Sequence, residues 1–145
     1  MLSAHHVAWA HMEGERAFGQ AIRARRRASL ARRALRRCAD CARLIVHDER
    51  TLPRRNGGLV REIPLDAITG TFEAGRALDF DNEFRPSKRA RKRWLRVWVG
   101  EHTGAGLPPI DVVQVGDGGY AIRDGHHRVS VARARGAVTI DAVVA

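Results

Sequence analysis

The sequence predicts a small α+β domain with a mixed sheet and an amino-terminal basic helical extension. Segments 110–115 and 119–123 have the pattern of strands, and the glycine-rich turn over 116–119 between them predicts a β-hairpin. A short helix over 127–135 is predicted to follow this hairpin directly after a glycine. Apolar residues three and four positions apart between 31 and 45 predict a longer amphipathic helix. Strands and helices are therefore mixed in the carboxy-terminal part of the chain, whereas the amino-terminal part is helical.

The helical extension occupies residues 1–56 and is predicted as helix over 13–48, with breaks. Its apolar seam is formed by Ala31, Ala34, Leu35, Cys38, Cys41, Ala42 and Ile45. Its opposite face carries an arginine stripe of Arg32, Arg33, Arg36 and Arg43. Two interpretations stay open. In the first, the helix packs on the domain, or on a second copy of the chain in a homodimer, and its arginines lie in solvent. In the second, the arginine stripe follows a phosphate backbone.

The mixed-sheet domain occupies residues 57–145 and begins with a strand over 59–63 and a loop over 66–86. A helix over 87–101 and a last strand over 138–144 are the remaining predicted elements. Seven basic residues without an acid among them lie at the start of this helix: Arg85, Lys88, Arg89, Arg91, Lys92, Arg93 and Arg96. They form a candidate nucleic-acid-binding surface. Trp94 and Trp98 are four residues apart and are expected in the core rather than as a platform for base stacking.

Charge and composition narrow the class of protein. The 145 residues are 44% hydrophobic, enough for a packed core, and carry a net charge of +10, which favours a polyanionic partner. Residues 1–56 hold 13 Arg and 5 acidic residues and so contribute +8 of that charge. No stretch approaches the ~18–20 apolar residues of a membrane span, and we see no secretion signal. We therefore expect a cytoplasmic protein in which Cys38 and Cys41 are buried thiols; a metal shared between two chains is the weaker alternative.

The segment Asp124-Gly125-His126-His127-Arg128 carries the clearest chemical signal. A strand that turns at a glycine into a helix leaves the first backbone N–H groups of that helix free to bind an anion. The two histidines and the arginine add side-chain donors suited to phosphate oxygens. The alternative is a structural turn in which Asp124 caps the helix and Arg128 lies in solvent.

An acidic segment precedes the basic cluster and contains Asp79, Asp81 and Glu83. Opposite bound phosphates, such carboxylates could hold Mg²⁺. They could equally neutralise the neighbouring arginines, which is the interpretation we favour. Arg76 belongs to the same loop and is a further candidate for contact with a nucleotide.

The run Gly125-His126-His127-Arg128 resembles the phosphate-binding Gly-x-x-Arg box of the ParB/sulfiredoxin fold. Segments 60–68, 107–115 and 139–144 resemble strands of the same domain, so the likeness covers residues 58–145. The likeness is closest to short bacterial ParB-like proteins. Three further runs also resemble that subgroup: Asp79-Phe80-Asp81, Phe84-Arg85-Pro86 and Arg93-Trp94. The resemblance implies the ParB/sulfiredoxin fold, and for ParB-type proteins it implies CTP binding at the box.

Three functions are compatible with these patterns. The first, which we favour, is binding of a nucleotide (CTP, or ATP/ADP, with Mg²⁺) and of DNA or RNA, with little or no catalysis. The second is a phosphotransferase or nucleotide hydrolase in which Glu62 is the candidate base. Sulfinic-acid repair is disfavoured, since His126 stands where sulfiredoxin has its catalytic cysteine. The third is a non-catalytic interaction module. Full-length ParB proteins carry a helix-turn-helix and a dimerisation domain after the box, whereas this sequence stops at Ala145, so we expect no site-specific centromere binding.

Overall fold

A computed structural model of the chain describes residues 3–38, 40–54 and 58–145. The described residues form three α-helices, α1 (Ala4–Ala34), α2 (Arg91–His102) and α3 (His126–Ala134). Their strands are β1 (Ile45–Val46), β2 (Val60–Pro64), β3 (Ile68–Thr71), β4 (Ile110–Val115), β5 (Gly119–Asp124) and β6 (Thr139–Val144). The predicted fold class, an α+β domain with a mixed sheet, is confirmed. No helix of this described part is long and apolar enough to cross a membrane.

The six strands form one sheet in the order β1-β3-β5-β4-β6-β2. β4 and β5 are the antiparallel hairpin predicted from the glycine-rich turn, and β2 is antiparallel to β6. The pairs β1–β3, β3–β5 and β4–β6 are parallel. Strand β5 therefore lies inside the sheet, between β3 and β4. The chain passes directly from the end of β5 into the first turn of α3, beside the end of β3.

The extension differs from the helix with breaks that the sequence predicted over 13–48. α1 begins earlier, after Ser3, whose side chain accepts a hydrogen bond from the His6 N–H. It ends at Ala34 because Arg36 adopts a left-handed conformation (φ 50°) and the Arg37 N–H bonds back to the Arg32 carbonyl at 2.8 Å. The predicted apolar seam past residue 34 therefore does not lie on one helix face. Glycine normally signals such a helix end, and here an arginine occupies the position.

The expectation of buried, reduced cysteines is wrong. Cys38 and Cys41 are exposed and form a disulfide with each other. The Cys41 N–H also donates to Cys38 Sγ at 3.2 Å. The bridge closes the tight turn that takes the chain from the end of α1 towards β1.

Trp94 lies at the centre of the core, as predicted. Its side chain is fully buried, with its ring centroid 5.3 Å from that of Phe18 on α1 and 5.5 Å from that of Trp98. α1 approaches α2 closely at Gly14, where an added Cβ would meet Trp98 Cδ1 at 2.8 Å. The face of α1 that packs on the domain therefore carries Ala10, Gly14 and Phe18, whereas Leu35 and Ile45 of the predicted seam are exposed.

A buried pair of hydrogen bonds joins α2 and α3 to the loop before α2. Trp94 Nε1 donates to Ser130 Oγ at 2.8 Å, and Ser130 Oγ donates to the Phe84 carbonyl at 2.6 Å. Phe84 needs this support because its backbone is left-handed (φ 58°), which is unusual for a bulky residue. We call this arrangement the Trp94–Ser130–Phe84 relay.

Ser130→Ala is expected to destabilise the fold by about 1–3 kcal/mol, because it leaves the buried Trp94 N–H and Phe84 carbonyl without partners. Urea unfolding followed by tryptophan fluorescence measures the change. Ser29→Ala is the matched control, since Ser29 is exposed on α1. Equal stability of Ser130→Ala and the control would contradict a structural role for the relay.

Candidate functional site

Gly125 is the residue that forms the turn from β5 into α3. Its backbone has φ 119° and ψ 21°, a conformation open to glycine and strained for other residues. An added Cβ would lie 2.4 Å from Ile110 Cγ2, so the neighbouring strand leaves no room for a side chain. Among the described residues, no side chain caps α3 at this end. The alternative in which Asp124 caps the helix is therefore wrong, and the first N–H groups of α3 keep their capacity to bind an anion.

A cleft of about 360 Å³ opens in front of this helix end. It is lined by Glu73, Arg76, Arg93, Val97, Asp124, Gly125, His126, His127 and Arg128. The structure thus brings the predicted box together with Arg76 from the loop and Arg93 from the basic cluster. Glu73 and Val97 were missed by the sequence analysis, since nothing in the local pattern placed the loop and α2 beside the box.

Arg128 lines the cleft but already uses most of its hydrogen-bond donors. Its NH1 donates to the carbonyls of Pro108 at 2.6 Å and Pro109 at 2.9 Å. Its NH2 donates to Asp124 Oδ2 at 3.1 Å, and the side chain is only 14% exposed. Arg128 therefore fixes the segment before β4 against α3, and Nε and one NH2 hydrogen are what remain for a ligand.

The two histidines of the box are buried rather than solvated. Burial, and then the charge of Arg76, lowers the pKa of His126 from 6.5 to about 4. The same two causes, in the same order, lower the pKa of His127 to about 4. Both rings are therefore neutral at pH 7. They can still offer an uncharged ring N–H.

Contacts with two neighbours orient the His126 ring. Its Nε2 lies 2.6 Å from Thr71 Oγ1, a hydroxyl that also accepts the Glu73 N–H at 2.9 Å. The Phe80 ring stacks on His126 with centroids 6.3 Å apart, and it meets His127 edge-on at 5.1 Å. The end of β3 and the following loop thus hold the histidine rings that line the cleft.

Arg76 and Arg93 supply the positive charge that is best placed for a ligand. Arg76 is paired with Glu73 (Nε–Oε2 3.4 Å) and with Asp79 (NH1–Oδ2 3.3 Å). Arg93 is exposed, and within the described part of the chain no hydrogen bond or ion pair is recorded for its guanidinium. A bound anion would therefore gain Arg93 without breaking an existing ion pair.

The carboxylates of the acidic segment pair with arginines, as in the interpretation that they neutralise neighbouring positive charge rather than hold Mg²⁺. Asp79 Oδ1 lies 3.5 Å from Arg89 Nε, and Asp81 Oδ2 lies 3.3 Å from Arg85 NH1. Glu83 also pairs with Arg85. Among the residues that the structure describes, no group of three or more His, Cys, Asp or Glu side chains is arranged to hold a metal ion.

The remaining predicted site residues lie elsewhere. Glu62 is exposed on β2 at the edge of the sheet, opposite Asp141, with β6 and β4 between it and β5, so it is not brought to the cleft. Arg32, Arg33 and Arg43 line one pocket at the end of α1, and Lys88 lines an adjoining one. Arg91 pairs with Glu15, and Arg36 and Lys92 are exposed.

Comparison with known proteins finds similarity among solved structures only. No protein-family model matches the chain, and no curated protein matches it by sequence. Among solved structures, the chain is similar to the crystal structure of sulfiredoxin from Arabidopsis thaliana. The TM-score is 0.41 and the sequence identity 24%, over 60% of this chain and 84% of that one. The chemistry of the cleft follows from this chain's own side chains.

Gly125→Ala is expected to destabilise the protein by more than about 2 kcal/mol, because backbone strain and the clash with Ile110 add together. Gly136→Ala is the matched control, since Gly136 also has a positive φ (79°) but nothing within 4 Å of an added Cβ. Thermal and urea unfolding measure both variants. A loss no larger than that of Gly136→Ala would contradict the close approach of Ile110.

The free energy of unfolding is expected to fall as the pH drops from about 6.5 towards 4. In that range the unfolded chain binds protons on His126 and His127, whose folded pKa values are about 4, so protonation favours unfolding. Urea unfolding at a series of pH values measures the slope. His127→Gln should reduce this slope, whereas His5→Gln, at an exposed position of α1, should preserve it. The same slope in wild type and His127→Gln would contradict the lowered pKa of His127.

Proposed function

We propose that the cleft binds the phosphate groups of a nucleotide and that the chain is a ParB-like nucleotide-binding domain. The main support for this proposal is the left-handed Gly125, which opens the amino-terminal end of α3 onto a cleft lined by Arg76 and Arg93. Backbone N–H groups at a helix start and guanidinium groups are the donors that phosphate oxygens favour. Three arginines face two carboxylates in this cleft, which leaves it net positive when the histidines are neutral.

The character of the lining supports phosphate as the ligand. A cleft of about 360 Å³ has the size of a small-molecule site. Val97 is the single aliphatic side chain among its lining residues, so the site favours the charged end of a ligand over an apolar one. Buried neutral histidines can donate to phosphate oxygens without the repulsion that two more cations beside Arg76 would add.

The side chains of the cleft support nucleotide binding with little or no turnover. Glu62, the candidate base, lies on the far edge strand of the sheet. The cleft carboxylates Glu73 and Asp124 are paired with Arg76 and Arg128, so they do not fit a resident metal ion. Mg²⁺ in a binding assay would accompany the nucleotide through its phosphate oxygens.

The test is titration of fluorescent CTP, ATP, GTP and ADP with Mg²⁺ into wild type, Arg93→Ala and Arg96→Ala. Saturable binding of one nucleotide is expected, and Arg93→Ala should weaken it about tenfold to a hundredfold through loss of a charge-assisted hydrogen bond. Arg96→Ala is the control because Arg96 is exposed on the same helix and does not line the cleft. No saturable binding, or equal affinity for both variants, would overturn the proposal. Release of inorganic phosphate in the same samples tests for turnover.

Arg128→Ala should differ from Arg93→Ala in a second measurement. Because Arg128 holds two proline carbonyls and Asp124, its removal is expected to lower the free energy of unfolding by about 1–3 kcal/mol as well as nucleotide affinity. Thermal unfolding without ligand measures this loss. An unchanged stability would mean that Arg128 is free for ligand rather than a positioning residue.

A further inference from the structure

A second basic surface lies on α1, separate from the cleft. We call it the arginine track and define it by Arg25, Arg26, Arg32, Arg33, Arg37, Arg43 and Lys88. It comprises a pocket of about 300 Å³ between the end of α1 and residues 77–81, and an adjoining groove of about 350 Å³ beside Pro86. The two share Arg25, Ser29 and Arg33, so the basic side chains form one continuous surface. None of the residues of the track lines the cleft.

Two arginines of the track hold α1 on the loop. Arg25 NH1 donates to the Asp79 carbonyl at 3.2 Å, and Arg32 NH2 donates to Asn82 Oδ1 at 3.3 Å. These contacts use neutral acceptors, so they position the guanidinium groups without cancelling their charge. The disulfide between Cys38 and Cys41 closes the turn that brings the chain back from α1 to the same pocket.

Few described acids lie beside the cations of the track. Among the described lining residues of both pockets Asp81 is the one carboxylate, and it is already engaged. Its Oδ2 pairs with Arg85 at 3.3 Å, and its Oδ1 accepts the N–H groups of Glu83 and Arg85. Arg33 and Arg37 are exposed, and no side-chain partner is recorded for either within the described residues. Like charges this close repel each other, so a bound polyanion would stabilise the surface.

We propose that the arginine track binds the phosphodiester backbone of a nucleic acid. From Arg25 to Arg33 the helix advances about 12 Å, and an elongated row of cations matches a chain of phosphates better than a single small anion. The aromatic side chain in the lining, Phe80, is 1% exposed, so it cannot stack on bases. The contacts are therefore to the backbone, and binding is independent of sequence and steeply dependent on salt.

The test is fluorescence anisotropy with labelled single-stranded DNA, duplex DNA and RNA of about 20 nucleotides, between about 50 and 200 mM salt. The variant Arg33→Glu/Arg37→Glu removes two track cations that make no recorded side-chain contact. The matched control is Arg16→Glu/Arg23→Glu, which changes the net charge equally at exposed positions of α1 outside both pockets. Circular dichroism and thermal unfolding confirm that both variants fold.

The track variant is expected to bind at least about tenfold more weakly, with a salt slope reduced by about 1.4–1.8, the equivalent of two phosphate contacts. The control should keep the wild-type slope. The three nucleic acids show which backbone is preferred, and salt-steep binding of any of them that depends on Arg33 and Arg37 supports the proposal. Absence of binding by wild type, or an equal loss in the two double variants, would overturn it.

Two further measurements separate this proposal from nucleotide binding in the cleft. Arg93→Ala should retain nucleic-acid affinity, and Arg33→Glu/Arg37→Glu should retain nucleotide affinity, because the two surfaces share no lining residue. If Arg93→Ala abolished nucleic-acid binding as fully as the track variant, the track would not be a separate site. Failure of nucleotide binding alone would leave the track proposal standing.

Discussion

The Trp94–Ser130–Phe84 relay is the interaction on which the placement of the other elements depends. Trp94 packs against Phe18 of α1, and Ser130 lies on α3 two residues after the end of the box, so one buried contact set positions both helices. Phe84 connects the loop before α2 to the relay. The Asp81 carboxylate and Ser130 hold the left-handed turn of this loop. Because the three residues are buried, water does not readily replace their hydrogen bonds, and the loss of one partner leaves a polar group unsatisfied.

The arginines of this chain divide into those that position and those that offer charge, and the geometry decides which is which. Arg128 has the sequence position of a ligand-binding residue but donates to two carbonyls and a carboxylate. Arg93 belongs to the basic cluster of α2, which the sequence does not connect with the box, yet it lines the same cleft. The histidines differ for another reason, since burial lowers the pKa of both to about 4 and keeps the rings neutral well below pH 7.

Sequence patterns predicted the elements whose information is local. The β4–β5 hairpin, the helix after Gly125 and the buried tryptophans of α2 all follow from turn chemistry or periodicity within a few residues. β1 and β3 were missed because they contain two and four residues and exist only by pairing with distant strands. The end of α1 was missed because Arg36 takes a conformation that usually requires glycine. The cleft could be predicted from the box, but Glu73, Val97 and the neutral histidines depend on tertiary packing.

Segment 76–82 lies between the two basic surfaces, and its ion pairs bear on the proposed role of Arg76 in phosphate binding. Asp79 is buried, and removing the partner of a buried carboxylate is costly. Here the carboxylate faces Arg89 as well as Arg76, at 3.5 and 3.3 Å. If the cleft binds phosphate as proposed, Arg76 can turn towards it while Asp79 keeps its ion pair with Arg89. The Asp79 carbonyl meanwhile accepts from Arg25 of α1, so the backbone of the segment stays anchored while a side chain of the cleft moves.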